Sequence, residues 1–96
     1  MIAHQIQKGF KNWWYVSSAT NVSLVNIATT ATVINFNTLL DQTGANLPAN
    51  ITNAIIMTIQ EGDALVQKIS DNATSVTLQT ALSGNVGTVS LLIFQF

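Results

Sequence analysis

Short runs rich in Val, Ile, Thr and aromatic residues fill most of this chain, and turn-forming residues interrupt them roughly every 8 to 12 positions. In the run at 74–80, Val76 and Leu78 alternate with Ser, Thr and Gln, which is the pattern of a strand with one face in the core. Such spacing leaves no room for long helices. It predicts an all-β fold, namely a small single-domain β-sandwich or a jelly-roll-like barrel of about seven to eight antiparallel strands.

The second half of the chain predicts a hairpin followed by a central strand. The run at 54–60 (AIIMTIQ) is expected to be a buried strand with Ile55, Met57 and Ile59 on one face. A Glu-Gly-Asp turn follows it, and residues 64–69 are expected to return as the second arm of the hairpin. The last run (GTVSLLIFQF) is apolar on both faces in its middle, which predicts a central strand or one covered on both sides.

The first half divides less clearly, into three further predicted strands at 13–19, 22–28 and 31–37. The segment at 39–50 is the one long connection and could hold a helical turn at 39–42. We expect residues 1–12 to form an N-terminal arm or an edge strand and residues 13–96 to form the β-sandwich domain.

Few of the side chains are charged, and this composition narrows the possible functions. Charged residues are 7% of the chain, against roughly 25% in an ordinary soluble domain, while 36 of 96 residues are Asn, Thr, Ser or Gln. The net charge of −1 gives copies little mutual repulsion, so we expect much of the surface to be covered by other copies or by a partner. With three lysines and no arginine, nucleic-acid binding is not expected. No apolar run is long enough to predict a transmembrane segment.

Residues able to carry catalysis or bind a metal are also scarce. The absence of cysteine excludes disulfides, thiolate zinc sites and cysteine nucleophiles. Glu61 and Asp63 flank a glycine and are expected to be solvated turn residues, with a calcium site as the alternative. His4 has no acid or serine near it in sequence that could form a catalytic pair. We therefore predict no catalytic residues, no cofactor and no metal site.

The strongest local feature is the run NWWYV at 12–16, which follows a segment holding the only histidine and two of the three lysines. In an alternating strand Trp13 and Tyr15 share one face, and Trp14 and Val16 share the other. The pattern favours Trp14 and Val16 as the core face and leaves the reverse arrangement open. The candidate interface residues are His4, Lys8, Phe10, Lys11, Trp13, Trp14 and Tyr15.

Residues 53–96 resemble the C-terminal hairpins of small β-sandwich virion proteins of bacteriophages, a group that includes head-decoration, spike and head-fibre base proteins. In those hairpins an apolar strand and a short acidic-glycine turn lead into further hairpins, as in this run. The resemblance implies a structural role in an extracellular particle, attachment to other capsid proteins and homo-oligomerisation. It implies no site residues.

The alternative function is a carbohydrate-binding module or adhesin tip in which Trp13, Trp14 and Tyr15 stack on a glycan. Three sequences also match the N-glycosylation motif, at 21–23, 50–52 and 72–74.

Overall fold

The computed structural model describes residues 9–62, 65–81 and 87–96, and these form seven strands and two short 3-10 turns. The turns span Val22–Leu24 and Phe36–Thr38. The all-β prediction is confirmed. The strands are β1 (Asn12–Val16), β2 (Val25–Ile27), β3 (Thr32–Asn35), β4 (Ala54–Glu61), β5 (Val66–Asp71), β6 (Ser75–Thr80) and β7 (Gly87–Gln95).

The strands form two antiparallel sheets that pack as a sandwich rather than as a closed barrel. In the four-stranded sheet, β4 pairs with β7 along residues 88–95 and so occupies one edge of that strand. β1 pairs with residues 91–95 and β2 with residues 87–88, so these two share the other edge. The prediction of a central final strand is confirmed. The second sheet has the order β3-β6-β5.

The core lies between the two sheets and is closed by loop residues at one end. β7 contributes Val89, Leu91 and Ile93, all fully buried, and the facing sheet contributes Val76 and Leu78. Such close packing makes the core sensitive to the loss of even one methylene group. The remaining buried apolar residues are Val16, Leu24, Ile27, Ile34, Phe36, Leu39, Leu47, Ile51, Ile56 and Val66.

The predicted hairpin between 54–60 and 64–69 is wrong, because β4 and β5 belong to different sheets. β4 pairs with β7 over eight residues, whereas β5 pairs with β6. β7 offers β4 a longer apolar partner than β5 does, and the chain passes to the other sheet between Glu61 and Val66. Gly62 has φ +104°, a conformation that favours glycine.

The prediction of a buried strand at 54–60 holds for one residue of β4 only. Ile56 is buried, whereas Ile55 is partly exposed and Met57 and Ile59 are exposed. Ile55 and Met57 pair with Phe94 and Leu92, which are partly exposed, whereas Ile59 pairs with Ser90, which is buried. The alternation of side chains along β4 correctly indicates which residues share a face, but it does not show which of the two faces meets the second sheet.

Two local predictions in the first half need correction as well. The run at 22–28 begins with the 3-10 turn Val22–Leu24 instead of a strand, and only residues 25–27 pair with β7. The helical turn predicted at 39–42 lies earlier in the chain, at 36–38. Leu39, the next residue, already has an extended backbone. Leu40 then forms an isolated antiparallel bridge with Asn46, which makes the long connection an ordered loop.

Asn21 connects the segment after β1 to that loop. Its Oδ1 accepts a hydrogen bond from the Leu40 N–H (2.7 Å), and its Nδ2 donates to the carbonyls of Leu40 and Ser17 (2.9 Å each). The side chain is 5% exposed. Because the amide nitrogen is buried and already donates two bonds, a glycan on Asn21 is incompatible with this fold, whereas Asn50 in the second motif is exposed.

The structure has no helix long and apolar enough to cross a membrane within the residues it describes.

Strand β1 begins at Asn12, one residue before the predicted domain boundary. Most of the N-terminal arm or edge strand predicted for residues 1–12 lies outside the described residues, which begin at position 9.

Candidate interaction surface

The outer face of the four-stranded sheet carries large apolar side chains in register across three strands. Trp13, Phe94 and Ile55 are aligned across β1, β7 and β4, since Phe94 is the pairing partner of both other residues. Leu92 is aligned in the same way between Tyr15 and Met57. We call this surface the aromatic face and define it by Phe10, Trp13, Tyr15, Ile55, Met57, Ile59, Leu92, Phe94 and Phe96.

Phe10 joins the aromatic face from outside β1. Its ring lies 4.9 Å from the ring of Phe94, centroid to centroid, with a tilt of 60° between the planes. This is a favourable aromatic arrangement. The preceding Gly9 has φ +88°, and this conformation helps the chain turn onto the sheet. The described residues that line a cleft of about 180 Å³ there are all apolar: Phe10, Ile55, Met57, Phe94 and Phe96.

The aromatic face contains no charged side chain, and much of it is exposed to solvent. Met57 is 52% exposed, and Phe10 and Trp13 are each close to half exposed. Lys11 borders the face, where its backbone N–H donates to the carbonyl of Gln95 (2.7 Å) and extends the pairing of β1 by one residue.

The outer face of the three-stranded sheet differs in character. Its register places Asn35, Thr77, Gln67 and Gln79 on the side away from the core. Val33 shares that face and is 63% exposed. Leu65, which precedes β5, and Ile69 within β5 are also about half exposed. The two outer faces therefore differ in degree: one carries adjoining aromatic and aliphatic side chains, and the other carries mainly amide and hydroxyl groups mixed with aliphatic residues.

The sequence-predicted interface residues separate into three groups in the structure. Phe10, Trp13 and Tyr15 lie together on the aromatic face, with Lys11 at its border. Trp14 points to the opposite side, where it is half-buried and packs against the core. The other two, His4 and Lys8, lie outside the described residues. An interface made by these residues remains a prediction.

Sequence reasoning missed the contribution of β4 and β7 to this surface. The sequence predicts a buried strand with Ile55, Met57 and Ile59 on one face, but it does not indicate that this face lies outside. The apolar character of both faces of β7 was the signal that could have located the surface, because a second apolar face needs a partner beyond the core.

Glu61 is not the solvated turn residue that was predicted. It ends β4, and its carboxylate accepts hydrogen bonds from the hydroxyls of Ser18 and Ser90, the latter at 2.9 Å. The Ser90 hydroxyl also accepts from the backbone N–H of Ser18 (3.2 Å). This network fastens the segment after β1 to the sheet. The described part of the chain contains no group of three His, Cys, Asp or Glu residues that could hold a metal ion, and Asp63 lies outside it.

A second, more polar cleft of about 280 Å³ lies beside Tyr15. It is lined by Tyr15, Ser17, Thr20, Leu40, Asp41, Gln42 and Gly44. The Gln42 side-chain carbonyl accepts the backbone N–H of Tyr15 (3.0 Å) and so covers part of the free edge of β1. Because Trp14 lies on the other face, the three aromatic residues do not form one flat glycan platform. The carbohydrate-binding alternative would have to depend on Trp13, Tyr15 and this cleft.

The loop at the rim of that cleft is organised by Asp41. Its Oδ1 accepts from the hydroxyl and the N–H of Thr43 (2.6 and 2.8 Å) and from the N–H of Ala45 (3.1 Å). The hydrogen bond from the Thr43 hydroxyl is the main cause that lowers the pKa of the Asp41 carboxyl below its ordinary value, since it favours the charged form.

We predict that the stability of this loop changes with pH in the acid range only. Because the folded-state pKa of Asp41 is depressed, its stabilising contribution is present above the ordinary aspartate pKa and is lost as pH falls through the lowered folded value. Carbon-13 NMR titration should show a low carboxyl midpoint for Asp41, accompanied by shifts of the Thr43 and Ala45 amides. Thr43→Ala should raise the midpoint, and an unchanged midpoint in this variant would contradict the assignment.

Comparison of this chain with protein-family models, with curated proteins and with solved structures found no match.

Proposed function

We propose that this protein is a structural component of a bacteriophage particle, a capsid-associated decoration or spike-type subunit that acts by self-assembly and docking. The observation that carries the proposal is the aromatic face, an uncharged apolar surface on the outside of a sheet whose inner side already forms the core. The virion setting is drawn from the resemblance of residues 53–96 to small phage virion proteins.

The size of the aromatic face supports a role in association. Four of its side chains are about half exposed and five are partly exposed, which amounts to on the order of 600 Å² at roughly 150–250 Å² per large side chain. The largest apolar patch on a typical monomeric protein is about 300–600 Å² and is often functional. A patch of this size in a chain of 96 residues favours a covered state as the working state.

The charge distribution supports the same role. With 7% charged residues and a net charge of −1, copies of this chain can approach closely without a large electrostatic cost. Particle shells are built from repeated subunits in close contact, where such a surface is an advantage rather than a cause of aggregation.

The acidic side chains that the structure describes are engaged in structural contacts, which supports a non-enzymatic role. Asp41 holds its loop, Glu61 accepts from two serine hydroxyls, and Asp71 forms an ion pair with Lys68 (2.7 Å). The same Lys68 ammonium also donates to the carbonyl of Ile56 in β4 (3.1 Å) and so connects the two sheets.

We predict that the protein is found in purified phage particles in many copies. Particles banded by density should yield its peptides by mass spectrometry after chymotryptic digestion, since the chain has only three lysines for trypsin. The ratio of its peptides to those of the major capsid protein gives the copy number. As a control, the host lysate fraction that lacks particles should be depleted of the protein. Its absence from banded particles would contradict the proposal.

A further inference from the structure

We infer that the aromatic face binds the aromatic face of a second copy of this chain, so that two four-stranded sheets pack against each other around a two-fold axis. The inference rests on the proposed function, because it names the partner through which assembly begins. A surface that meets the same surface of another copy requires two-fold symmetry.

Because the aromatic face is apolar and uncharged, it favours binding to a surface that is also apolar and uncharged. No charged side chain lies within the face, and Lys11 is a single cation at its border. At the far end of β4, the Glu61 carboxylate is occupied by the hydroxyls of Ser18 and Ser90. A lipid surface or an acidic partner would call for a cluster of cations, which this border does not provide among the described residues. Glu61 lies on the same side of β4, two residues beyond Ile59, and would stay at the edge of the interface with its serine partners in place, so the nine residues that define the face bury no charge.

The area of the aromatic face matches what a small specific interface needs. About 600 Å² from each copy gives on the order of 1,200 Å² in total, the lower end of the range for stable protein–protein interfaces. The composition fits as well, since aromatic residues and Met are enriched and charged residues are depleted at the centre of interfaces. No larger partner is required to cover the face.

The shape of the surface is suited to sheet-on-sheet packing. Two twisted sheets pack about 10 Å apart with their side chains interdigitated. The cleft between Phe10, Met57 and Phe94 provides a recess, and the half-exposed side chains around it provide projections. The sandwich already uses this arrangement once, in its own core, and the second copy would repeat it on the outer side of β7.

The opposite sheet supplies a matched control for the test. Val33 is as exposed as Met57 and also lies on an outer face, but on the polar side of the sandwich. A glutamate at either position is accessible to water in the monomer. Only at position 57 would the carboxylate be buried in the inferred dimer, where an unpaired charge is costly.

We expect sedimentation equilibrium of the 96-residue chain to show reversible association towards twice its mass of 10.3 kDa. The concentrations should span roughly 1–100 µM, the range of dissociation constants expected for a small interface. Met57→Glu should weaken dimerisation by about 10-fold or more, whereas Val33→Glu should dimerise like the unmodified chain. Circular dichroism would show that both variants are folded. If Met57→Glu unfolds, Phe10→Ser tests the same face, because Phe10 precedes the first strand.

The outcomes separate this inference from the proposed function. Association that Met57→Glu and Phe10→Ser leave unchanged would overturn the inference, because the copies would then meet through another surface. A chain that stays monomeric up to the highest concentration would overturn it as well. In either case the presence of the protein in banded particles tests the virion role independently.

Discussion

Replacing Phe36 by alanine is expected to lower the free energy of unfolding by about 3–5 kcal/mol, the range for removing a fully buried aromatic side chain. Phe36 begins the second 3-10 turn and is completely buried. The turn is held by the Leu39 N–H donating to the Phe36 carbonyl (3.0 Å), so the surrounding backbone has little freedom to collapse into the cavity. Urea unfolding followed by tryptophan fluorescence would give the difference.

Two further variants test whether the loss of stability comes from removing a buried side chain. Phe36→Leu keeps most of the volume and should cost far less, about 1 kcal/mol. Val22→Ala removes apolar atoms from a residue that is 87% exposed and should change stability by less than about 0.5 kcal/mol. Equal losses in Phe36→Ala and Val22→Ala would show that residue 36 is not in the core.

Asn21→Ala is expected to cost about 2–4 kcal/mol, an unusually large effect for a polar residue. The substitution removes the hydrogen bonds that Asn21 makes to the N–H and carbonyl of Leu40 in a part-buried site, whereas the Ser17 carbonyl still accepts from the Thr20 N–H (3.2 Å). Asn21→Asp can still accept from Leu40 but would place a carboxylate against two carbonyls, so it should be at least as destabilising at neutral pH. Thermal unfolding of both variants gives the comparison.

Asn50→Ala is the matched control, since Asn50 is exposed and should change stability by less than about 0.5 kcal/mol. A similar small loss in Asn21→Ala would mean that the two loops are held together by other contacts. The same pair of residues tests the glycosylation motifs, because a glycan is compatible with the fold at position 50 but not at position 21.

Local alternation in the sequence predicted the orientation of several strands correctly. Val76 and Leu78 face the core as expected, and Trp14 and Val16 lie on the core side of β1. The central position of the last strand was also indicated by its composition, because strands that are apolar on both faces are typical of the middle of a sheet. These features depend on each run alone, which is why the sequence is sufficient to predict them.

Strand pairing could not be predicted in the same way, because it depends on competition between distant segments. The turn after β4 indicates a change of direction but not the sheet to which the next strand belongs. Once β7 pairs with β4, the side chains of Ile55, Met57 and Ile59 are directed outward. The sequence therefore predicted the part of the aromatic face that Trp13 and Tyr15 form. The part formed by β4 and β7 depends on strand pairing.

The position of β7 also determines when this protein can fold during synthesis. Trp13 and Ile55 both pair with Phe94, so neither β1 nor β4 has its partner until the final strand has left the ribosome. The three-stranded sheet of β3, β5 and β6 is complete earlier and can form first. Because pairing between distant segments is slow, β1 and β4 remain unpaired apolar segments until β7 has been synthesised.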